Sequence, residues 1–127
     1  MEKHQLLYGV QCGDTLHYDF TVRLPVVGHT VEALRKTDEA CGTTEGAAAG
    51  MYYRVAVMAS ALESLGTLTK EEITPELLLH ELNDDDFDII DAEIEAIKKK
   101  RMRSNNGSQD TAPLSSPSDD TASQNGK

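Results

Sequence analysis

The sequence predicts an α+β fold: an N-terminal antiparallel β-hairpin followed by four helices, two long and two short, and then a disordered polar tail. Apolar and polar residues alternate strictly from residue 15 to residue 24, as in a strand with one buried face. Apolar residues later recur at helical spacing in two segments, residues 51–65 and 87–97. The last 24 residues contain six serines and only one large aliphatic residue, Leu114, which is too little apolar surface to form a core.

The hairpin is predicted over residues 5–24. Gly13 and Asp14 form its two-residue loop, because glycine at the first loop position suits a type II′ turn. Pro25 lacks a backbone N–H and ends the second strand. His17 falls on the polar face of that strand. The apolar residues that alternate with polar ones are Leu6, Tyr8, Val10, Cys12, Leu16, Tyr18, Phe20, Val22 and Leu24.

A short helix is predicted after the hairpin, from Val31 to about Thr37. Thr30 is its expected N-cap, because a hydroxyl accepts hydrogen bonds from the free N–H groups of a first turn. Leu34 is expected to face inward. Residues 38–46 are rich in Gly and Thr and predict a loop.

The second helix is predicted from about Glu45 to Leu65, with Gly66 as its C-terminal stop. A third, short helix is predicted from Pro75 to Leu82, because Thr74 followed by proline is a typical helix start. The apolar stripe of the second helix consists of Met51, Val55, Met58, Leu62 and Leu65.

The fourth helix is predicted from about Asp85 to Arg103. Asn83 and the aspartates beside it provide a cap and a favourable charge at its N-terminus, and five Lys and Arg residues follow at its C-terminus. Its apolar residues are Phe87, Ile90, Ile94 and Ile97.

Residues 1–103 are predicted to form a single domain, and residues 104–127 the disordered tail. Residues 1–20 contain no continuous apolar segment typical of a signal peptide, and no segment approaches the roughly 20 apolar residues of a membrane span. We therefore expect a cytoplasmic protein, in which Cys12 and Cys41 are unpaired.

The formal net charge of −10 argues against nucleic acid and anionic membranes as partners, because both are bound mainly through Lys and Arg. The segment from Glu71 to Glu95 contains eleven Asp and Glu residues and no Lys or Arg. Two interpretations stay open. The segment is either a solvated helix surface or a docking surface in which negative charge borders apolar stripes and attracts a basic or amphipathic helix.

No catalytic or metal-binding constellation is evident. Asp84, Asp86, Asp88 and Glu95 match four positions of a calcium-loop pattern, but Ile89 stands where that loop needs glycine. The four histidines lack zinc-site spacing, and no phosphate-binding glycine loop is present. We therefore expect neither an enzyme nor a cofactor.

Three segments resemble the tail assembly chaperones of long-tailed bacteriophages and prophages, especially the Mu-like group. They are DFTVRLPVVGHTVEAL (19–34), VAVMASALESLGTLTKEEITPELLLHEL (55–82) and DDDFDIIDAEIEAIKKKR (84–101). The resemblance implies a non-structural chaperone that acts in the host bacterial cytoplasm. Such a chaperone binds the tape measure protein, a long helical protein, and keeps it soluble until the tail tube assembles around it. The resemblance also implies self-association along that client.

The client contact is predicted on the two long helices. An alternative role for the same stripes is packing in the protein's own core. An alternative function is an acidic regulatory or antagonist protein that binds a basic, DNA-binding partner. The residues predicted to contact the client are Met51, Val55, Phe87, Ile90, Ile94 and Ile97.

Overall fold

A computed structural model describes the backbone of residues 3–107 and the side chains of residues 3–103. It confirms the α+β class: an N-terminal hairpin, extended to a three-stranded antiparallel sheet, together with four α-helices. A short 3-10 turn, Lys70–Glu72, precedes the third helix. The elements are β1 (His4–Cys12), β2 (Thr15–Val22), α1 (Val27–Cys41), α2 (Ala47–Ala61), β3 (Leu62–Leu65), α3 (Pro75–Glu81) and α4 (Asp84–Gly107).

The chain divides into two compact units, Met1–Glu95 and Ala96–Lys127. The first contains the sheet, α1 to α3 and the N-terminal half of α4. In the second, the described residues continue α4 as far as Gly107. The predicted single domain over residues 1–103 stays a prediction. The predicted tail lies outside the described residues from residue 108 onward, and residues 104–107 belong to α4.

The hairpin forms as predicted around Gly13 and Asp14. Cys12 pairs with Thr15 across this two-residue loop, and Gly13 has a φ of 63°, as the primed hairpin turns require. The third strand, β3, was not predicted. It pairs with β2 through Phe20 and Leu65, so a segment expected to end α2 belongs to the sheet instead.

The helix α2 ends at Ala61, and β3 follows it directly. The Lys70 ammonium donates hydrogen bonds to the carbonyl groups of Ala59, Ser60 and Leu62. Carbonyl groups at a helix C-terminus lack helical partners and carry partial negative charge, so a cation stabilises them. Lys70 thereby substitutes for the predicted glycine stop.

The burial pattern of the hairpin differs from strict alternation. Leu16 and Tyr18 are 47% and 39% exposed, whereas His17, predicted to lie on the polar face, is 5% exposed. The register shifts between Gln5 and Val10, and His17 lies opposite Val10. Gly66 packs directly against the His17 ring, so closely that a β-carbon at residue 66 would come within 2.0 Å of Nδ1. The register shift marks a bulge in β1, and the turn after β3 buries His17, whereas Phe20 and Val22 are buried as the alternation predicts.

The helix α1 is longer than predicted at both ends. It begins after Val26, whose N–H donates to Nδ1 of His29 at 3.0 Å, and not at the predicted cap, Thr30. It ends at Gly42 in the left-handed conformation. The prediction that Leu34 faces inward is wrong, because its side chain is 41% exposed. The small residue Ala33 is buried instead and packs with α2.

The starts of α3 and α4 follow the sequence closely. The Thr74 hydroxyl accepts a hydrogen bond from Leu77 N–H at 3.1 Å, with Pro75 as the first helical residue. Asn83 Oδ1 accepts one from Asp85 N–H at 2.8 Å and caps α4. The largest apolar side chains that are almost fully buried are Val10, Phe20, Leu62, Leu65, Leu78 and Ile90.

Candidate docking surfaces

Four of the six side chains predicted to contact a partner lie in the core of the first unit. Val55, Phe87, Ile90 and Ile94 are between 0% and 9% exposed. The Arg54 guanidinium covers the Phe87 ring, 5.1 Å from its centroid. A partner therefore reaches these four residues only if the core opens, and their role in partner binding stays a prediction.

The other two predicted contact residues are more accessible. Met51 is 39% exposed on α2, and Ile97 is half-buried in the second unit. Within the first unit, Met51 is therefore the one predicted contact residue that is accessible.

Asp86, one of the residues that match the calcium-loop pattern, is fully buried, and its carboxylate is hydrogen-bonded to the hairpin. Its Oδ1 accepts a hydrogen bond from Leu7 N–H at 2.8 Å, and its Oδ2 accepts from Tyr8 and Gly9 N–H, each at 3.0 Å. Residues 84–95 are helical and do not form a loop. Among the described residues, no three His, Cys, Asp or Glu side chains are grouped so that they could hold a metal ion. The carboxylate instead satisfies the amides that the β1 bulge leaves without a strand partner.

Ten of the eleven carboxylates between residues 71 and 95 are at least partly exposed, Asp86 being the exception. On α4, the exposed carboxylates and the buried side chains lie on different sides of the helix. Phe87, Ile90 and Ile94 are buried, while an exposed acidic stripe recurs at spacings of four, three and four. This acidic stripe consists of Asp84, Asp88, Asp91 and Glu95.

A first accessible apolar surface lies on the hairpin. This hairpin patch consists of Leu7, Tyr8, Leu16 and Tyr18, which are 67%, 54%, 47% and 39% exposed. The Tyr8 hydroxyl lies 3.5 Å from Asp85 Oδ2, and the Tyr18 ring packs against Gly9. The patch thus lies beside the first turn of α4, where the acidic stripe begins. This patch was not predicted from the sequence, because strict alternation was assumed along both strands. The sequence signal for it was Gly9, since a glycine inside a strand often marks a bulge.

A second accessible apolar surface lies on α1. Val27, Val31 and Leu34 are 77%, 60% and 41% exposed and recur at spacings of four and three, so they share one helix face. We call them the α1 stripe. Arg35, one residue after the stripe, pairs with Glu32 and, at 2.7 Å, with Glu39. The stripe escaped prediction because the helix was expected to begin at Val31.

A polar cleft of about 300 Å³ lies among α1, α2 and α3 and is lined in part by Arg35, Lys36 and Glu39. Inside it, the Tyr52 hydroxyl donates a hydrogen bond to Glu76 at 2.5 Å. Burial, reinforced by this hydrogen bond, raises the pKa of Tyr52 to about 12. Tyr52 therefore stays protonated near neutral pH and acts as a hydrogen-bond donor rather than as a base.

Comparison of the chain with protein-family models, with curated proteins and with solved structures found no match in any of the three. Within residues 3–107, none of the helices has the length and apolar character required to span a bilayer.

Proposed function

We propose that this protein is a tail assembly chaperone that binds the tape measure protein in the host bacterial cytoplasm. It keeps that protein soluble until the tail tube assembles. The observation that carries the proposal is the coexistence of two exposed apolar surfaces, the hairpin patch and the α1 stripe, with a net charge of −10.

This combination suits a protein that protects another protein from aggregation. A long helical client exposes repeated apolar faces before assembly, and large exposed apolar surfaces promote association. Exposed apolar residues on the chaperone can cover such faces. Its many surface carboxylates repel one another, and this repulsion keeps the complex from associating further. The three segments that resemble the phage chaperones support the same role.

The presence of two separate apolar surfaces also supports the proposed self-association. One surface can contact the client while the other contacts a neighbouring copy, so that several copies cover one long helix. The first unit alone can make both contacts, since both surfaces lie on it.

Co-expression tests the proposal. The tape measure protein from the same genome is expressed alone, with this chain, or with an unrelated acidic protein of similar size and charge. We expect the tape measure protein to be soluble, and to co-purify, only with this chain. Equal solubility in all three cultures, or in none, contradicts the proposed function.

The alternative function, an acidic antagonist of a basic DNA-binding protein, is favoured by one observation, the exposed acidic stripe of α4. Its carboxylates follow one another about every 4.5–6 Å along the helix, at 1.5 Å per residue. This alternative requires a partner that duplex DNA displaces from the chain. A client complex that excess duplex DNA leaves intact argues against it.

A further inference from the structure

We propose that the hairpin patch, together with the adjoining aspartates of α4, is the docking site for a cationic amphipathic helix. This inference rests on the proposed function and identifies the surface that performs it. A partner can bind this surface without opening the core, whereas a partner that contacts Ile90 or Ile94 cannot, because both side chains are buried.

The patch provides suitable anchors. Tyr8 and Tyr18 both lie next to Gly9, the first as its neighbour in the chain and the second through its ring. Tyrosine supplies apolar contact area and a polar end, and it is enriched among the residues that dominate binding energy at interfaces. Leu7, the most exposed of the four patch residues, adds aliphatic surface.

The surrounding charge specifies a cationic partner. Asp84, Asp85 and Asp88 are exposed at the start of α4, and the Tyr8 hydroxyl is within 3.5 Å of Asp85. No Lys or Arg occurs in the sequence between residues 71 and 97, Lys3 is the only one among residues 3–22, and the nearby Arg54 of α2 covers the buried Phe87 ring. An apolar surface bordered in this way attracts lysine and arginine side chains and repels acidic partners.

The backbone of β1 favours a helix over a strand as the occupant. A strand that adds to a sheet edge needs free amide groups along that edge. The amides of Leu7, Tyr8 and Gly9 already donate to the Asp86 carboxylate. A partner at this position therefore meets side chains and not an open edge, and an amphipathic helix presents its apolar face to such a surface.

Fluorescence anisotropy with a labelled peptide tests the proposal. The probe is a synthetic amphipathic helix of leucine and lysine, about 18 residues long. We compare the full chain with Tyr8→Ser/Tyr18→Ser, with Asp84→Asn/Asp85→Asn and with the control Val27→Ser/Val31→Ser, which removes two apolar residues of α1 that are more exposed than either tyrosine. Circular dichroism establishes that each variant is folded.

The first two variants are expected to bind the peptide about tenfold more weakly, and the α1 control to bind it within about twofold of the unmodified chain. Binding should also weaken as the salt concentration rises to about 0.5 M, because exposed charges are then screened. Undiminished binding by folded Tyr8→Ser/Tyr18→Ser overturns the proposal, and so does an equal loss in the α1 control.

Co-expression with the tape measure protein separates this inference from the proposed function. If the unmodified chain solubilises the client and Tyr8→Ser/Tyr18→Ser does not, the surface assignment is supported. If both solubilise it equally, the docking site is wrong and the chaperone function stands. If the unmodified chain fails while the peptide still binds through the tyrosines, the chaperone function is wrong and the docking site stands.

Discussion

Replacing Asp86 with alanine is expected to be among the most destabilising single substitutions in this chain. The carboxylate is fully buried and accepts hydrogen bonds from three consecutive amides, and the Gly9 amide is itself buried. Alanine leaves these donors without partners. A buried donor left unsatisfied costs about 1–3 kcal/mol. The Leu7 and Tyr8 amides are partly buried and regain some hydration, so the total loss is about 2–5 kcal/mol.

Urea unfolding followed by far-UV circular dichroism measures this loss. Small domains have m values of about 1–3 kcal/mol/M, so a loss of 3 kcal/mol lowers the unfolding midpoint by roughly 1–3 M. Asp88→Ala is the matched control, because Asp88 is exposed on the same helix and should change the free energy of unfolding by at most about 0.5 kcal/mol. Hydrogen exchange at the Leu7, Tyr8 and Gly9 amides should accelerate in Asp86→Ala alone. Equal midpoints for Asp86→Ala and Asp88→Ala would refute the reasoning.

Three further predictions follow from glycine geometry and from the shifted pKa values of His29 and Tyr52. Gly66→Ala should lower the thermal unfolding midpoint clearly more than Gly13→Ala does. Both glycines have a positive φ, which strains alanine by about 1–2 kcal/mol, but only a β-carbon at residue 66 would clash with the His17 ring. Equal decreases in the midpoint would exclude this contact. The pKa of His29 is lowered mainly by burial and, to a smaller extent, by the nearby Arg23 and Lys70 cations. The unfolded chain therefore binds the proton more readily than the folded chain. As a result, the free energy of unfolding should fall as the pH drops below about 6.5. His29→Gln, which can keep the cap without titrating, should flatten this pH dependence in urea unfolding, and an unchanged slope would contradict the assignment. Since the pKa of Tyr52 is about 12, ultraviolet titration should detect a tyrosine that ionises near that pH. The contribution of Tyr52 to the free energy of unfolding should be lost between about pH 10 and 12. A Tyr52→Phe variant that retains the late ionisation would disprove the assignment to Tyr52.

Local chemistry was sufficient to predict several features of the fold. The Gly13-Asp14 turn, the Thr74 cap and the Asn83 cap each depend on residues within a few positions of one another, and all three formed as predicted. The third strand depends on a distant partner. Leu62–Leu65 is a short apolar run compatible with either helix or strand, and its pairing with β2 decides the outcome.

The candidate surfaces were less predictable than the fold. Periodicity identified the apolar side of α4 correctly, but it cannot distinguish a side that packs in the core from a side that awaits a partner. Ile90 is in the core. The hairpin patch required knowledge of the β1 bulge and of Asp86, which lies 77 to 79 residues away from the amides it binds. The α1 stripe required the correct helix start, which His29 provides in place of the expected Thr30.

The order of the strands has a consequence for how the chain folds during synthesis. β1 and β2 are made first, but β2 acquires its second neighbour only with Leu62–Leu65, and the bulge in β1 receives its acceptor only with Asp86. Contacts that join distant parts of a chain slow folding, since the intervening loop has to close first. A nascent chain ending before residue 62 thus lacks the strand that pairs with β2, including Leu65, which lies opposite Phe20. Until that strand is made, the protein that we propose as a chaperone itself presents an unpaired strand edge of the kind that makes folding chains prone to aggregate.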